Sequence, residues 1–384
     1  MKSKRLQSRP EWHAWLRESL NKGDDPAKLF DILIRNEFLP SSIKKAMGEF
    51  YPHDKGGVLE PQEPKSIFIA LAALNEEFLE FTLDGLFNQA MYPEFITVGL
   101  VDQTHDDNRA WLSKKSYWPR IRYVAMSPLD SQGLSWARNI AFSLYHGEDF
   151  LYQIDAHSLI EPEWDRRLVE SYQKLEKMAP KPILSTYPPS FEFAPDGSPI
   201  KIDKVEILEG QAVIIGRNPD DQMTRESIGW RFQGGYHHID QPKEGFAISG
   251  GFFFARGSFV YEVPYDPMMY FQDEKNIALR AYTNGWTIFH VPIEEIPLFH
   301  LYRKPNDGRA ASLHWNPEVD RQRKIKSGEL TLLSTMRLTD IICGRVKGPY
   351  GLGDKRSLTE FCQFSQIPYD TVYGNAPAPN KPEA

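Results

Sequence analysis

The sequence predicts an α/β protein with a mixed, mainly parallel β-sheet flanked by helices, preceded by a small helical module. Beyond residue 65, runs of strand type alternate with segments of helical spacing, and this rhythm is typical of a parallel sheet covered on both faces. The chain has 384 residues, of which 41% are hydrophobic, so a sizeable core is available for one large domain or for two. The 26 glycines and 29 prolines indicate many loops rather than a bundle of long helices.

The first fifty residues have the spacing of three short helices. Apolar stripes at helical intervals cover residues 12–20, 27–33 and 43–47. The segment 55–64 is rich in glycine, proline and charge, and therefore reads as a linker. We expect a helical module with its linker over residues 1–60, and we expect the module to present an acceptor or to mediate self-association as a homodimer.

The remaining elements follow from the same patterns. Strands are predicted at residues 66–72, 95–101, 120–126, 150–154, 181–187, 246–255 and 287–291. Helices are predicted at residues 76–92, 133–145, 162–178, 273–284 and 319–340, with an irregular stretch over 191–239. The resulting divisions are a main domain over 61–310, a C-terminal extension packed on it over 311–374, and a disordered tail over 375–384.

Charge and cysteine content narrow the class of protein. The net charge of −7 argues against a strongly basic nucleic-acid binder, although not against a local basic groove. Two cysteines do not form a disulfide framework in a chain of this length, so a reducing compartment is the default. The basic N-terminus has no apolar stretch behind it, and the longest apolar run, 67–74, is too short for a membrane span. We expect a cytoplasmic protein that has no membrane partner.

The most informative motif is the apolar run that begins at Phe150 and ends in Asp155-Ala156-His157. In extended geometry Asp155 and His157 point the same way, and one oxygen with one nitrogen can chelate a divalent metal. The alternative is that Asp155 caps a helix and His157 lies nearby on the surface. His300 follows another apolar stretch and is the best third ligand, although a lone histidine of this kind is more often a packed or surface residue.

Three polar residues stand where strands end or a helix begins. Arg138 lies one turn into a helix that follows a glycine turn, and such a position favours phosphate, although a surface salt bridge is the more common explanation of such a residue taken alone. Asn75 and Asp102 follow the first two predicted strands, at the edge where α/β proteins bind nucleotides. Ordinary loop polarity is the alternative for both residues.

Two pairs of adjacent residues complete the set of candidate site residues. Asp273 and Glu274 begin a helix, where they either answer the helix dipole or orient a sugar hydroxyl and accept a proton. Gly250 and Gly251 either let the backbone approach a ligand closely or mark a bulge. The sequence contains no phosphate-loop motif, no dinucleotide fingerprint and no zinc-type cysteine pattern.

Seven motifs in this order, between about residues 65 and 370, resemble glycosyltransferase family 60, the family of the cytoplasmic Skp1-hydroxyproline N-acetylglucosaminyltransferase, which has the GT-A fold. The motifs are Gly133–Arg138, Tyr152–His157 with Trp164-Asp165, Gly250–Phe252, Glu262–Pro267, Phe271–Glu274 with Ala278–Trp286, His300–Tyr302 and Tyr350–Leu358. The sequence departs from the family pattern at Ala156, where serine is expected, and at Gln272-Asp273-Glu274, where Gly-Glu-Glu is expected. The second departure bears on sugar specificity more than on transfer.

The resemblance implies transfer of a sugar, with retention, from a UDP-sugar to a hydroxyl acceptor on a protein, a glycan or another macromolecule. The implied cofactors are Mn²⁺ or Mg²⁺ and UDP-GlcNAc, and imidazole ligands suit Mn²⁺ better. The implied site has metal ligands Asp155, His157 and His300, donor-binding residues Asn75, Asp102, Arg138, Asp155, Gly250 and Gly251, and catalytic residues Asp273 and Glu274.

Two other functions stay open at this stage. A glycosyltransferase that modifies hydroxylated bases of DNA, as in phages, would use the same fold, and the basic residues at 2–9, 321–326 and around Arg345 and Arg356 could contact phosphates. A catalytically silent sugar-nucleotide-binding protein is the second alternative, and the presence of both Asp155 and His157 argues against it.

Overall fold

The computed structural model describes residues 6, 9–36, 38, 40–51, 64–203, 208, 210–218, 220–221, 223, 231–302, 314 and 316–373. The predicted tail and all but the last residue of the predicted linker lie outside these ranges. No helix within them is long and apolar enough to cross a membrane.

The helices and strands alternate as the sequence predicts. The helices are α1 (Pro10–Asn21), α2 (Pro26–Arg35), α3 (Pro40–Met47), α4 (Leu79–Asn88), α5 (Arg109–Leu112), α6 (Leu134–Ser143), α7 (Trp164–Glu176), α8 (Phe259–Glu262), α9 (Asp273–Thr283), α10 (Pro317–Gln322), α11 (Ser327–Ile342), α12 (Leu358–Ser365) and α13 (Tyr369–Tyr373). The strands are β1 (Ile67–Leu74), β2 (Ile96–Gln103), β3 (Ile121–Met126), β4 (Phe150–Asp155), β5 (Ser158–Ile160), β6 (Pro182–Ser185), β7 (Phe191–Phe193), β8 (Pro199–Lys201), β9 (Gln211–Arg217), β10 (Phe232–His238), β11 (Lys243–Gly245), β12 (Phe252–Arg256), β13 (Thr287–His290) and β14 (Leu298–His300).

Within the described residues, eight strands form one sheet in the order β11-β13-β6-β12-β4-β1-β2-β3. The pairs β4–β1, β1–β2, β2–β3 and β6–β13 are parallel. Strand β12 is antiparallel to both of its neighbours, β4 and β6, and β11 is antiparallel to β13. The prediction of a mixed, mainly parallel sheet flanked by helices is therefore confirmed.

Both faces of this sheet are buried, which explains why the strands read as continuous apolar runs. In β1, Ile67 and Ile69 pack into one cluster with the apolar residues of α4 and α7. The alternate residues Phe68 and Ala70 pack into a second cluster with α6 and α9. Each fully buried apolar side chain of this size contributes about 1.5–3 kcal/mol relative to an exposed one, so both layers hold the sheet that positions the site.

The flanking modules have their own apolar clusters. Helices α1–α3 pack around Leu16 and Leu33, and this cluster also takes in Met91 of the main domain. The hydroxyl of Tyr51 donates a 2.8 Å hydrogen bond to Glu163, which fixes the module further. At the other end, Leu338 and Ile342 of α11 pack in one buried cluster with Phe361 of α12, Tyr369 of α13 and Leu279 of α9.

The structure differs from the predicted elements mainly in three places, besides short elements such as β5, β11, α12 and α13 that no pattern predicted. The stretch 191–239, predicted as irregular, contains the strand pairs β7–β8 and β9–β10. Strands β7 and β8 have three residues each, and β10 consists mostly of polar residues and glycine with no buried position, so their strand pattern is weak. The single helix predicted over 319–340 is two helices, because the backbone at Arg323 is extended between them. Strand β12 begins at Phe252, since the preceding residues turn toward the site described next.

Candidate functional site

The candidate site lies where β1, β2 and β4 end at the same edge of the sheet. Asp155 is the last residue of β4, and Asp102 lies near the end of β2. The register pairs Ala73 of β1 with Asp102, and Ala72 of β1 with Asp155. This is the edge at which open α/β sheets bind their ligands.

Asp155, His157 and His300 form a group that could hold a metal ion. One ligand atom from each residue lies within 4.8 Å of the others, and the two imidazole rings are 4.8 Å apart between centroids. His300, 145 positions after Asp155, reaches the site because β14 pairs with β5 and places His300 opposite Ser158. Oxygen and imidazole nitrogen donors are a suitable set for Mn²⁺ or a similar ion.

The carboxylate of Asp155 is held by Arg138 on one side and by the imidazole of His300 on the other. Its Oδ1 lies 3.1 Å from Nη2 of Arg138, and its Oδ2 lies 3.1 Å from Nε2 of His300. Burial alone would raise the pKa of Asp155, but the hydrogen bond from His300 and the charge of Arg138 outweigh it and hold the pKa well below its usual range. Asp155 is therefore a charged oxygen donor at neutral pH, and it does not cap a helix.

Arg138 is the buried centre of the site, with only 2% of its surface exposed. Besides Asp155, its guanidinium donates to Oδ2 of Asp273 at 3.0 Å and to the carbonyl of Gly250 at 2.7 Å. It also lies over the ring of Tyr265 at 5.5 Å. The forked guanidinium thus joins the end of β4, the start of α9 and the glycine turn before β12, which excludes a surface salt bridge as its explanation.

Both glycines of the pair before β12 lie against these side chains. A Cβ atom at Gly250 would stand 2.5 Å from Nη1 of Arg138, and one at Gly251 would stand 2.9 Å from Oδ2 of Asp155. Neither distance leaves room for a carbon atom. The glycines therefore let the backbone approach Arg138 and Asp155 closely, and the expected approach to a ligand stays a prediction.

The acidic pair at the start of α9 lies on the other side of Arg138. Oε1 of Glu274 accepts a 2.6 Å hydrogen bond from the backbone N–H of Gly250. Burial raises the pKa of Asp273 despite the nearby Arg138, and burial together with the charge of Asp273 raises the pKa of Glu274. The raised pKa values favour the uptake of a proton by this pair, compared with two exposed carboxyl groups.

Asp102 and Asn75 lie side by side at the ends of β2 and β1. Asp102 is fully buried, and its Oδ2 accepts hydrogen bonds from Nδ2 of Asn108 at 2.9 Å and from the hydroxyl of Tyr123 at 2.8 Å. Its Oδ1 has no hydrogen-bond partner among the described residues, and burial raises the pKa of the carboxyl. Asn75 is exposed and adopts a left-handed backbone conformation, with φ of 45°.

The structure adds residues that sequence reasoning missed. Oε2 of Glu76 lies 2.8 Å from Nδ1 of His157. Nε2 of Gln153 donates to the carbonyl of Gly250 and to the hydroxyl of Tyr265, each at 2.8 Å, and so supports the glycine turn from below. The available signal for Gln153 was a polar residue inside a buried strand, since such a residue needs partners.

Comparison with known proteins assigns the chain to a family. The profile of the family described as Glycosyltransferase (GlcNAc) matches residues 112–370, which is more than half of the chain. The chain belongs to this family of glycosyltransferases. A comparison with curated protein sequences gives no significant match.

Solved structures with a similar fold include the following three, all of low sequence identity to this chain. A structure of GalNAc-T7 with UDP, GalNAc and Mn2+ has 14% identity and a TM-score of 0.47, over 83% of this chain and 59% of that chain. A structure of S. aureus TarS 1-349 has 10% identity and a TM-score of 0.39. A structure of the same protein in complex with UDP-GlcNAc has 11% identity and a TM-score of 0.39. Each covers 80% of this chain and 83% of the TarS chain. The present chain thus spans less than two thirds of the length of the GalNAc-T7 chain.

Proposed function

We propose that this protein is a metal-dependent, retaining glycosyltransferase that moves GlcNAc from UDP-GlcNAc to a hydroxyl group of a protein or another macromolecule in the cytoplasm. The observation that carries the proposal is one connected cluster. Asp155, His157 and His300 lie close enough together to hold a metal ion, and Arg138 links Asp155 to the acidic residue Asp273. A structural ion pair between Arg138 and Asp155 would not require two imidazoles within 4.8 Å of the same carboxylate.

The donor set fits a divalent ion. One charged carboxylate and two imidazoles, all largely buried, offer hard oxygen and nitrogen ligands, which favour Mn²⁺ over Mg²⁺. When bound there, such an ion supplies positive charge to the two phosphates of the donor as the bond between sugar and phosphate breaks.

The chain's own residues supply the rest of the site. Arg138 fixes the carboxylates of Asp155 and Asp273 relative to each other and adds a permanent positive charge. Asp102, whose Oδ1 has no hydrogen-bond partner among the described residues, would accept a hydrogen bond from the nucleoside. Asn75 follows the neighbouring strand β1 and bonds to Gln103, the residue after Asp102. Gly250 and Gly251, which lie against Arg138 and Asp155, would line the donor between the metal group and Asp102.

Retention is best served by attack on the same face of the sugar as the departing group. The departing phosphate oxygen then takes the proton of the acceptor hydroxyl, while Asp273 and Glu274 orient the sugar and acceptor hydroxyls. A covalent route is less favourable, because Asp273 is bound to Arg138 and Glu274 to the backbone of Gly250. Neither carboxylate is free to act as a nucleophile without breaking such a contact.

The basic residues near the C-terminus weigh against DNA as the acceptor. Arg345 forms an ion pair with Asp340 at 2.6 Å, and Lys355 forms one with Asp354 at 3.2 Å. Arg356 donates to the carbonyl of Trp286 at 3.0 Å. Because each of these ion pairs offsets one positive charge at the surface, the region attracts phosphates less strongly than unpaired cations would.

The test measures release of UDP from a panel of UDP-sugars with Mn²⁺, first without an acceptor and then with hydroxylated peptide, glycan or DNA. We expect UDP-GlcNAc to be the preferred donor and Asp155→Ala and His157→Ala to abolish the metal-dependent release. His146→Ala is the matched control, since His146 is an exposed histidine away from the sheet edge. Turnover close to that of the wild type in either site variant would remove the metal assignment.

A further inference from the structure

A carboxylate outside the metal group contacts one of its proposed ligands. Oε2 of Glu76 lies 2.8 Å from Nδ1 of His157, and the two side chains are only 13% and 16% exposed. The other oxygen of Glu76, Oε1, accepts a hydrogen bond of 3.1 Å from the backbone N–H of Phe78. The carboxylate is therefore fixed at both oxygens, one by the chain entering α4 and one by the imidazole.

The backbone turn before Glu76 aims this side chain. Asn75 has a left-handed φ of 45°, which non-glycine residues rarely adopt unless the surroundings impose it. Its N–H donates a 2.9 Å hydrogen bond to the carbonyl of Gln103, so the end of β2 holds the turn in place. Asparagine tolerates this conformation better than most residues. The turn directs Glu76 from the end of β1 across to His157, just beyond the end of β4.

We propose that Glu76 is a positioning residue that selects the tautomer and orientation of His157 for metal binding. This inference rests on the proposed function, since it concerns the same metal site. A carboxylate at Nδ1 accepts the proton of that nitrogen, and the lone pair of the neutral ring is then on Nε2. The other tautomer would carry its proton on Nε2 and could not bind an ion there.

The contact also has an electrostatic effect. A carboxylate hydrogen-bonded to a metal-ligating histidine increases the basicity of the ring and holds it in one orientation, and removal of such a partner typically weakens metal binding about 10–100-fold. Asp155 already shares its charge with Arg138. Glu76 therefore supplies a second negative charge to the metal site without being a ligand itself.

The experiment uses the purified full chain with Mn²⁺ alone, and measures bound and free Mn²⁺ by electron paramagnetic resonance. We expect Glu76→Ala to weaken Mn²⁺ binding about 10–100-fold. Glu76→Gln should weaken it less, because an amide oxygen still accepts the Nδ1 proton but carries no charge. Glu77→Ala is the matched control, since the neighbouring Glu77 is exposed, and it should bind Mn²⁺ as the wild type does.

A second measurement reports on His157 without any metal. In protein with ¹⁵N-labelled histidine, the wild type should show His157 protonated at Nδ1, and Glu76→Ala should lose this signature. Thermal unfolding without Mn²⁺ shows whether a variant has lost stability as well as metal affinity. If Glu76→Ala does not fold, the comparison with the wild type is made with Glu76→Gln. Equal Mn²⁺ affinity of the wild type and the folded Glu76 variants would overturn the positioning role and leave the proposed function standing. Failure of the wild type to bind Mn²⁺ would overturn the metal site, and the positioning role with it.

Discussion

The sharpest test of the site geometry is the substitution Gly250→Ala. The added Cβ would stand 2.5 Å from Nη1, 2.9 Å from Nη2 and 3.1 Å from Cζ of Arg138. Ordinary contacts of this kind are about 3.5 Å. The guanidinium must therefore retreat by about 1 Å, and every contact of Arg138 with Asp155 and Asp273 changes with it.

The magnitude follows from the size of that displacement. A misplacement of about 1 Å in a catalytic site lowers activity by about 100-fold, which corresponds to about 2.7 kcal/mol of transition-state stabilisation. Overpacking a well-packed interior also destabilises the fold by about 1–3 kcal/mol. We therefore expect kcat/KM for UDP release from UDP-GlcNAc to fall about 100-fold. The free energy of unfolding should fall by about 1–3 kcal/mol, which is a smaller fraction of its wild-type value.

The control is Gly328→Ala, since a Cβ at Gly328 in α11 meets no atom within 4 Å. This variant should match the wild type in activity and should be slightly more stable, because alanine favours a helix over glycine. The assay follows UDP release with Mn²⁺, and urea unfolding verifies that both variants are folded. If Gly250→Ala turns over within twofold of the wild type, the tight contact between this backbone and Arg138 is not needed for transfer.

The fold was predictable where strands are buried on both faces. The strands β1 to β4 were located within one or two residues, because uninterrupted apolar runs between polar ends identify such strands. The antiparallel insertion of β12 between β4 and β6 was not predicted, since an apolar strand carries no signal for the direction of its neighbours. The strand pairs within 191–239 were missed because β7 and β8 have only three residues each and β10 has no apolar pattern. The apolar run 212–215 inside β9 was too short to be recognised on its own.

The candidate site was predictable only where its residues are close in the chain. The spacing of two between Asp155 and His157 puts both on one side of an extended chain, so that pair was proposed from geometry. The position of His300 depends on the pairing of β14 with β5, which local sequence does not encode. Sequence reasoning could therefore name it only as the best third ligand beside Asp155 and His157, a choice that the family resemblance then supported. Glu76 was missed because a single acid after a strand has many explanations, and only the left-handed turn at Asn75 directs it to the histidine.

Three further substitutions test separate parts of the structure. Asp102→Asn removes the charge of the buried acceptor at the end of β2, so we expect UDP to bind about 10-fold or more weakly, as a charged hydrogen bond contributes about 1.5–3 kcal/mol. Calorimetric titration with UDP measures this, and unchanged affinity would take Asp102 out of the nucleoside site. Tyr51→Phe deletes the hydrogen bond to Glu163 and should lower the free energy of unfolding by about 1–3 kcal/mol in urea, while leaving UDP release unchanged. Burial raises the pKa of Asp165 to about 6, above the value of about 3.9 in an unfolded chain, although Met91 and Tyr92 donate backbone hydrogen bonds to it. Since the folded protein holds this proton more tightly, the stabilisation is complete below about pH 4 and is lost as the pH rises through about 6, a change of about 3 kcal/mol. The variant Asp165→Asn cannot titrate at this position, so the difference in unfolding free energy between the wild type and Asp165→Asn should change by about this amount between about pH 4 and pH 7. A difference that stays constant across that range in urea unfolding would show that Asp165 is ionised throughout, held by its two backbone donors.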